Sequence, residues 1–290
     1  MAKTNKILNL KRLNFKNKCN VCFYLLKKIL KIQPSSEELL CYRFYNELIQ
    51  INGFIKFESK EFYILELKNS FNKTVKIRKR PSSDIDVFQQ IYILGEYAPV
   101  VKIYKENFKN NNKLNIIDAG GNIGLTSLFF LENFDGPNVI CVEPESKNFE
   151  VLRFNLNYMN CKKIQGAVWS KNSKIKIVQD FRDQLDWSFR VVESNESESI
   201  EAFSLKYLMD DNNFNDIDIL KIDVEGSEKN IFDASTSDLS FLNKTKCISI
   251  EIHDEFNCRE DIYNVLSNYG FVFENIGEST IGVNQKLKNN

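Results

Sequence analysis

From about Asn115 onward the chain alternates strand-length apolar runs with helix-length segments, the pattern of an α/β fold on a mostly parallel sheet with helices on both faces. Two observations sharpen that expectation. Residues 115–124, Asn-Ile-Ile-Asp-Ala-Gly-Gly-Asn-Ile-Gly, read as an apolar strand that meets an acid, then a glycine turn, then an apolar helix. The runs Val139–Glu143, Asp218–Glu228 and Ile248–Asp254 likewise carry apolar strands into acidic or basic groups. Ligands of open α/β sheets bind at such strand carboxyl ends.

The elements follow in order. Residues 1–80 are expected to form an accessory region, 81–284 the main domain and 285–290 a disordered tail. Ser35 and Glu38 stand at capping-box spacing, and Leu40, Phe44 and Leu48 then repeat on one helical face. Phe62–Leu67 and Thr74–Ile77 read as strands joined by a turn at 69–72. Pro81-Ser82-Ser83-Asp84 opens a helix bearing Ile85, Phe88 and Ile91, which stops near Gly95. Strands are then expected at Asn115–Ala119, Val139–Glu143, Lys163–Ala167, Ile217–Asp223, Cys247–Ile252 and Gly270–Ile276. Helices are expected at Ile123–Asn133, Lys147–Tyr158, Glu228–Ala234 and Glu260–Asn268, with an inserted hairpin or loop at Lys174–Ser199.

Composition narrows the function classes. The 290 residues carry no net charge, so no global field draws nucleic acid. Charge is nevertheless uneven: residues 1–33 hold nine Lys or Arg and no acid. That segment reads as a basic helix with Leu25, Leu26, Ile29 and Leu30 on its apolar side. It would either pack on the domain or touch a membrane surface or an acidic partner. Seven cysteines without a regular framework point to reduced thiols and a cytoplasmic setting. Cys19 and Cys22 form one CxxC, with either a metal or redox role or simply two small apolar residues on a helix. No run is long and apolar enough for a spanning helix.

Three of only 11 glycines, Gly120, Gly121 and Gly124, fall within five residues, so this turn needs bare backbone. Such a turn lets a nucleotide-like ligand meet main-chain amides at a helix N-terminus. Asp118 at the strand end would repel a pyrophosphate and suits a ligand with a cationic amino-acid end, of which S-adenosylmethionine is the common one. Glu143 lies 19 residues beyond Gly124 and can accept both ribose hydroxyls of an adenosyl group. Its alternative is a solvated strand-end charge. Asp223 and Glu225, spaced i, i+2, share a face at the mouth of a site or else cap the next helix. Glu251 and His253 end the following strand on one face. His253 is the only histidine, and an unperturbed imidazole there could accept a hydroxyl proton.

Together these segments resemble the FkbM family of S-adenosylmethionine-dependent methyltransferases. The similarity runs through Ile117–Gly124, Val142-Glu143-Pro144, Ala167-Val168, Leu220–Glu228 and Ile250–His253. Upstream it takes in Arg80–Asp84, Phe88 and Gly95-Glu96-Tyr97. It implies a class I methyltransferase (Rossmann-like) fold, a seven-stranded sheet whose last strand, from Thr280–Asn284, is antiparallel. It further implies O-methylation of a hydroxyl on a sugar, glycan or natural product. The loop around Asp186-Trp187, longer and more charged than in the family, falls where the acceptor pocket is usually shaped.

The expected mechanism is in-line transfer of the methyl group to an acceptor hydroxyl, with the protein holding both atoms near contact. Gly120, Gly121, Asn122 and Gly124 would meet the methionine moiety, Asp118 would orient its ammonium, directly or through water, and Glu143 would hold the ribose. Gln165, Gly166 or Ala167, at the end of the third strand, would flank the adenine. His253 or Glu225 would serve as base, with Asp223 orienting either. No metal ligand is assigned, although a divalent ion on Asp223 and His253 is an open variant. The rivals are a nicotinamide-dependent oxidoreductase, a non-catalytic nucleotide-binding module of the same fold, and a nucleic-acid methyltransferase.

Overall fold

The structure, a computed structural model, describes residues 8–68, 73–109, 113–157, 159–178, 190–193 and 199–288. The chain forms two compact units, Met1–Leu94 and Gly95–Asn290. The division therefore falls after Leu94 rather than after residue 80. Residues 81–94 join the first unit because Asp84 is fully buried and takes the Arg78 guanidinium and backbone amide.

In the first unit, helices α1 (Phe15–Ile29) and α2 (Ser36–Gln50) pack together, Tyr24 stacked on Tyr42. The capping box forms as its spacing predicts: Ser35 accepts the Glu38 amide while the Glu38 carboxylate accepts the Ser35 amide. An antiparallel meander follows, β1 (Gly53–Glu58), β2 (Phe62–Leu67) and β3 (Lys73–Arg78). Strand β1 goes unread in the sequence because its half-exposed residues show no clean alternation. The turn expected at 69–72 lies outside the described residues. Helix α3 (Asp84–Phe88) runs into a π-helical turn, Gln89–Leu94, and the chain turns away at Gly95, whose φ is +71°. Helix α1 buries Asn17, Val21 and Tyr24 and leaves Leu26, Ile29 and Leu30 exposed.

The second unit opens with α4 (Ala98–Asn107). Its strands and helices then alternate as β4 (Asn115–Ala119), α5 (Leu125–Asn133), β5 (Asn138–Glu143), α6 (Ser146–Asn155) and β6 (Cys161–Gln165). The strand expected over Lys163–Ala167 breaks at Gly166. Its far end becomes β7 (Ala167–Val168), which enters a small separate sheet with β8 (Ser173–Val178), β9 (Arg190–Glu193) and β10 (Ile200–Phe203). The inserted hairpin is thus β8–β9, and the Asp186-Trp187 loop lies outside the described residues. Helix α7 (Leu205–Asp211), strand β11 (Ile217–Ile222), the short α8 (Glu228–Ile231), β12 (Thr245–Glu251), α9 (Arg259–Tyr269), β13 (Phe271–Ile276) and β14 (Ser279–Asn284) complete it.

The seven-stranded sheet runs β6-β5-β4-β11-β12-β14-β13, parallel except that β14 is antiparallel to both neighbours. This is the class I methyltransferase order, with helices on both faces. All six residues of β11 are buried, as a central parallel strand requires. The direction of strand succession reverses between β4 and β11, which opens a crevice at their carboxyl ends. At the opposite end Asp218 accepts from the Tyr104 hydroxyl (2.7 Å) and the Asn115 amide (2.8 Å) and pairs with Lys246 (2.8 Å). The expected tail is ordered through residue 288: Asn284 caps a 3-10 turn at Gln285–Leu287 and Gln285 bonds to Gly270.

Candidate functional site

The crevice is built by three strand ends. After β4 the chain turns through Gly120, Gly121, Asn122 and Gly124, with φ of +82° at Gly120 and Gly124 and +47° at Asn122. Why glycine stands here is a matter of packing as well as conformation. A Cβ on Gly120 would lie 1.7 Å from the Asp223 carbonyl oxygen, and one on Gly121 would lie 2.2 Å from the Cys141 sulfur. The turn is wedged between β11 and β5.

Its amides are also engaged. Gly120 and Gly121 both donate to Val142 O, Gly124 donates to Gly121 O, and Asn122 donates to Glu143 Oε2 at 2.8 Å. The expectation that these amides meet the ligand is therefore corrected. The protein has already taken their protons, because the turn must fasten itself to the adjoining strand.

Asp118 is corrected as well. It is fully buried, accepts from Ser127 Oγ at 2.6 Å, and lies 3.3 Å from Lys221 Nζ. A carboxylate so enclosed and neutralised does not face the crevice. Lys221 is equally buried and donates to Gly120 O at 2.5 Å. Burial would strip its proton, but Tyr97, Asp223 and Asp118 together hold it charged. Asp223 is the carboxylate that does reach the crevice: its side chain is 28% exposed, with one oxygen 3.5 Å from Lys221 Nζ.

Glu143 ends β5 against the glycine turn. Besides the Asn122 amide it accepts the Glu145 amide at 2.9 Å, so one carboxylate spans both loops. Burial outweighs those two donors and pushes its pKa up to about 8. It is not a solvated strand-end charge. At the end of β6, Gln165 is exposed while Ala167 is buried.

Beyond β11, Glu225 and Gly226 both take left-handed backbone, φ +52° and +94°. For a glutamate this conformation costs on the order of 1 kcal/mol. It aims the carboxylate back across the crevice, 3.3 Å from His253 Nε2. The other ring nitrogen, Nδ1, meets Glu228 Oε1 at 3.0 Å, and the same oxygen accepts the Val224 amide. Glu251 stands 3.7 Å from Nε2. Burial alone would lower the His253 pKa, but Glu225 and Glu228 outweigh it and hold the imidazolium, pushed up to about 11. Glu251 is pushed up to about 8 by burial and then by Asp223.

Glu225 and Glu228, which raise the His253 pKa, argue against His253 as the proton acceptor at neutral pH. Asp223, Glu251 and His253 offer one ligand atom each within 4.8 Å of one another. A cation there would have to compete with Glu225, whose carboxylate lies 3.3 Å from the same Nε2.

The structure thus gathers Asp223, Glu225, Glu251 and His253 at one rim. Asp223, Glu225 and His253 nevertheless lie past the ends of their strands, and it is left-handed backbone, not strand alternation, that turns Glu225 toward His253. Sequence reasoning missed three groups. Glu228, fully buried, fixes the His253 ring and stands in the Lys-Ile-Asp-Val-Glu-Gly-Ser-Glu segment, where an acid on the first helical turn was the signal. Lys221, alone in an apolar strand, was visible as a buried cation in need of partners. Glu96, raised by burial and then by Asp223, carries no such signal, because only the fold brings residue 96 near residue 223.

Among solved structures the chain is similar to an S-adenosylmethionine-dependent methyltransferase from Agrobacterium tumefaciens, at 11% identity and a TM-score of 0.41, covering 79% of this chain and 71% of that one. It is also similar to a putative caffeoyl-CoA O-methyltransferase from Staphylococcus aureus, at 15% identity and a TM-score of 0.38, covering 70% and 93%. A precorrin-6y C5,15-methyltransferase from Geobacter metallireducens GS-15 aligns at 11% identity and a TM-score of 0.36, covering 64% and 86%. The strand order, not these likenesses, defines the fold. No curated protein matches the chain. The family profile of the Methyltransferase FkbM domain matches residues 118–273, more than half of the chain and all of the crevice from Asp118 to His253. The chain belongs to the Methyltransferase FkbM domain family.

Proposed function

We propose that the second unit transfers a methyl group from S-adenosylmethionine to an acceptor hydroxyl on a sugar, glycan or natural product. The observation that carries the cofactor half of this reading is Glu143. Its two oxygens are pinned by the Asn122 and Glu145 amides at the edge of the crevice, and each keeps accepting capacity for a ribose hydroxyl. Gly120, Gly121, Asn122 and Gly124 shape the floor, and Gln165 and Ala167 flank the adenine.

The ammonium end passes from Asp118 to Asp223, the carboxylate with open surface, while Asp118 acts through Lys221. The sulfonium arrives activated, so the chain's task is to hold donor and acceptor in line. Glu225 takes the hydroxyl proton. His253 and Glu228 hold that carboxylate in place, and Glu251 lies beside them.

The nicotinamide reading loses its support from the turn: the Gly120, Gly121, Asn122 and Gly124 amides are bonded to protein, leaving them no proton for a pyrophosphate. Calorimetry with S-adenosylmethionine and with NAD tests this. S-adenosylmethionine should bind wild type, and Glu143→Ala should weaken it about tenfold or more, as expected for two lost hydrogen bonds of about 1 kcal/mol each. NAD binding with no response to S-adenosylmethionine would overturn the assignment. A labelled-methyl screen over sugar nucleotides and glycolipids then addresses the acceptor. A non-catalytic module would show cofactor binding and no transfer to any of them.

A further inference from the structure

Helix α1 has two apolar faces. Successive residues turn by about 100°, so Asn17, Val21 and Tyr24 form one stripe and Phe15, Cys22, Leu26 and Ile29 the opposite one. The first stripe is buried. The second is not: Phe15 is 81% exposed, Ile29 79% and Leu26 51%. Exposed apolar side chains continue in the chain on either side, at Leu8 before the helix and at Leu30 and Ile32 after it. A run of this kind exceeds the scatter of single exposed hydrophobics on an ordinary surface.

Charge says what such a face would meet. The helix contains no acid and carries Lys16, Lys18, Lys27 and Lys28, with Lys11 and Lys31 just outside it. Lys16 and Lys27 pair with Glu37 and Glu38 on α2. Lys11, Lys28 and Lys31 are exposed. A second copy of this helix would bring lysine against lysine, and two heptads without acids are too short for a coiled coil. No helix among the described residues is long and apolar enough to cross a membrane. Apolar side chains flanked by cations, on a helix that lies rather than spans, fit the headgroup layer of an anionic bilayer.

We propose that the exposed face of α1 docks the protein onto anionic membrane surfaces, with Phe15, Leu26 and Ile29 entering the headgroup layer and Lys11 and Lys31, just outside the helix, facing lipid phosphates. Docking of this kind brings a methyl-transferring unit to acceptors carried on lipid. The surface itself stands independently of the reading of the crevice.

The test uses the full chain and vesicle sedimentation, with no methyl transfer in the readout. Vesicles of phosphatidylglycerol and phosphatidylcholine in equal parts should bind the protein, and pure phosphatidylcholine should bind it far less. Added salt should weaken binding, because screening acts on exposed charges. Phe15→Ser with Ile29→Ser, and separately Lys11→Glu with Lys31→Glu, should each lower partitioning by about tenfold or more. Both pairs lie on the surface, so melting temperature and S-adenosylmethionine binding should not change. Binding that ignores lipid charge, survives both double substitutions, or is absent altogether overturns the proposal. So does a dimer in sedimentation velocity that the Phe15→Ser, Ile29→Ser variant dissolves in the absence of lipid.

Discussion

Lys221 Nζ lies 3.3 Å from Asp118 Oδ1, and neither side chain reaches solvent. The acid that ends β4 is thus tied to the cation of β11, one strand over, and the pair locks the floor of the crevice. Removing one member of a buried pair leaves the other charge uncompensated. Asp118→Asn should destabilise the fold by about 3 kcal/mol, the low end of the usual range because Asp223 remains near Lys221. Lys221→Met added to that variant should restore more than half of the loss. Urea unfolding of the two single variants and the double variant measures this; additive losses would show that the two charges do not interact.

Asp223→Ala should separate binding from folding. The side chain is partly exposed, so stability should fall little, while S-adenosylmethionine affinity should drop by about tenfold or more through the lost ammonium contact. Calorimetry on folded protein gives the answer. If Asp118→Asn weakens the cofactor and Asp223→Ala does not, the ammonium assignment is reversed.

Glu225→Gln should slow turnover by about a hundred- to ten-thousandfold, the range of general-base assistance, and leave cofactor affinity intact. Glu228→Gln acts one step removed. It should loosen the His253 ring and shift the pH profile of turnover, an effect that a change in packing alone would not produce.

Stability should fall as pH rises above about 4.5. Glu143 and Glu251 stand near 8 against an ordinary 4.5, and His253 near 11 against 6.5. In each case the folded state keeps a proton that the unfolded chain has lost, so the contribution is whole below the unfolded value and vanishes as pH passes the folded one. The carboxylates act between 4.5 and 8, the histidine between 6.5 and 11. Melting temperature should decline across both windows, and His253→Asn should flatten the part above pH 8. An unchanged slope in that variant would remove His253 as its source.

Chelation should leave transfer unaffected. Glu225 Oε2, 3.3 Å from His253 Nε2, already occupies the side of the ring that a cation would need. Loss of activity in EDTA with recovery in magnesium would instead place a cation between Asp223, Glu251 and His253.

Much of the fold is legible in the sequence, because strand and helix lengths follow from local apolar spacing. Residues 115–119 begin and end as their pattern predicts, and Ser35–Glu38 caps α2 from four consecutive residues. Segments whose structure depends on distant partners were less visible. Strand β1 is half-exposed on its faces, α7 is short, and Gly166 divides the stretch Lys163–Ala167 because Glu201 and Phe203 crowd it.

By itself the sequence determined the order of elements and the gathering of Asp223, Glu225, Glu251 and His253 at strand ends, since the apolar runs of β11 and β12 stop there. Only the tertiary structure decided which of those groups are free to act. Asp118 meets Lys221 across 103 positions of sequence, and His253 meets Glu228 across 25. Burial and neighbouring charge set a group's protonation, and both come from the packing of strands that the linear chain keeps apart.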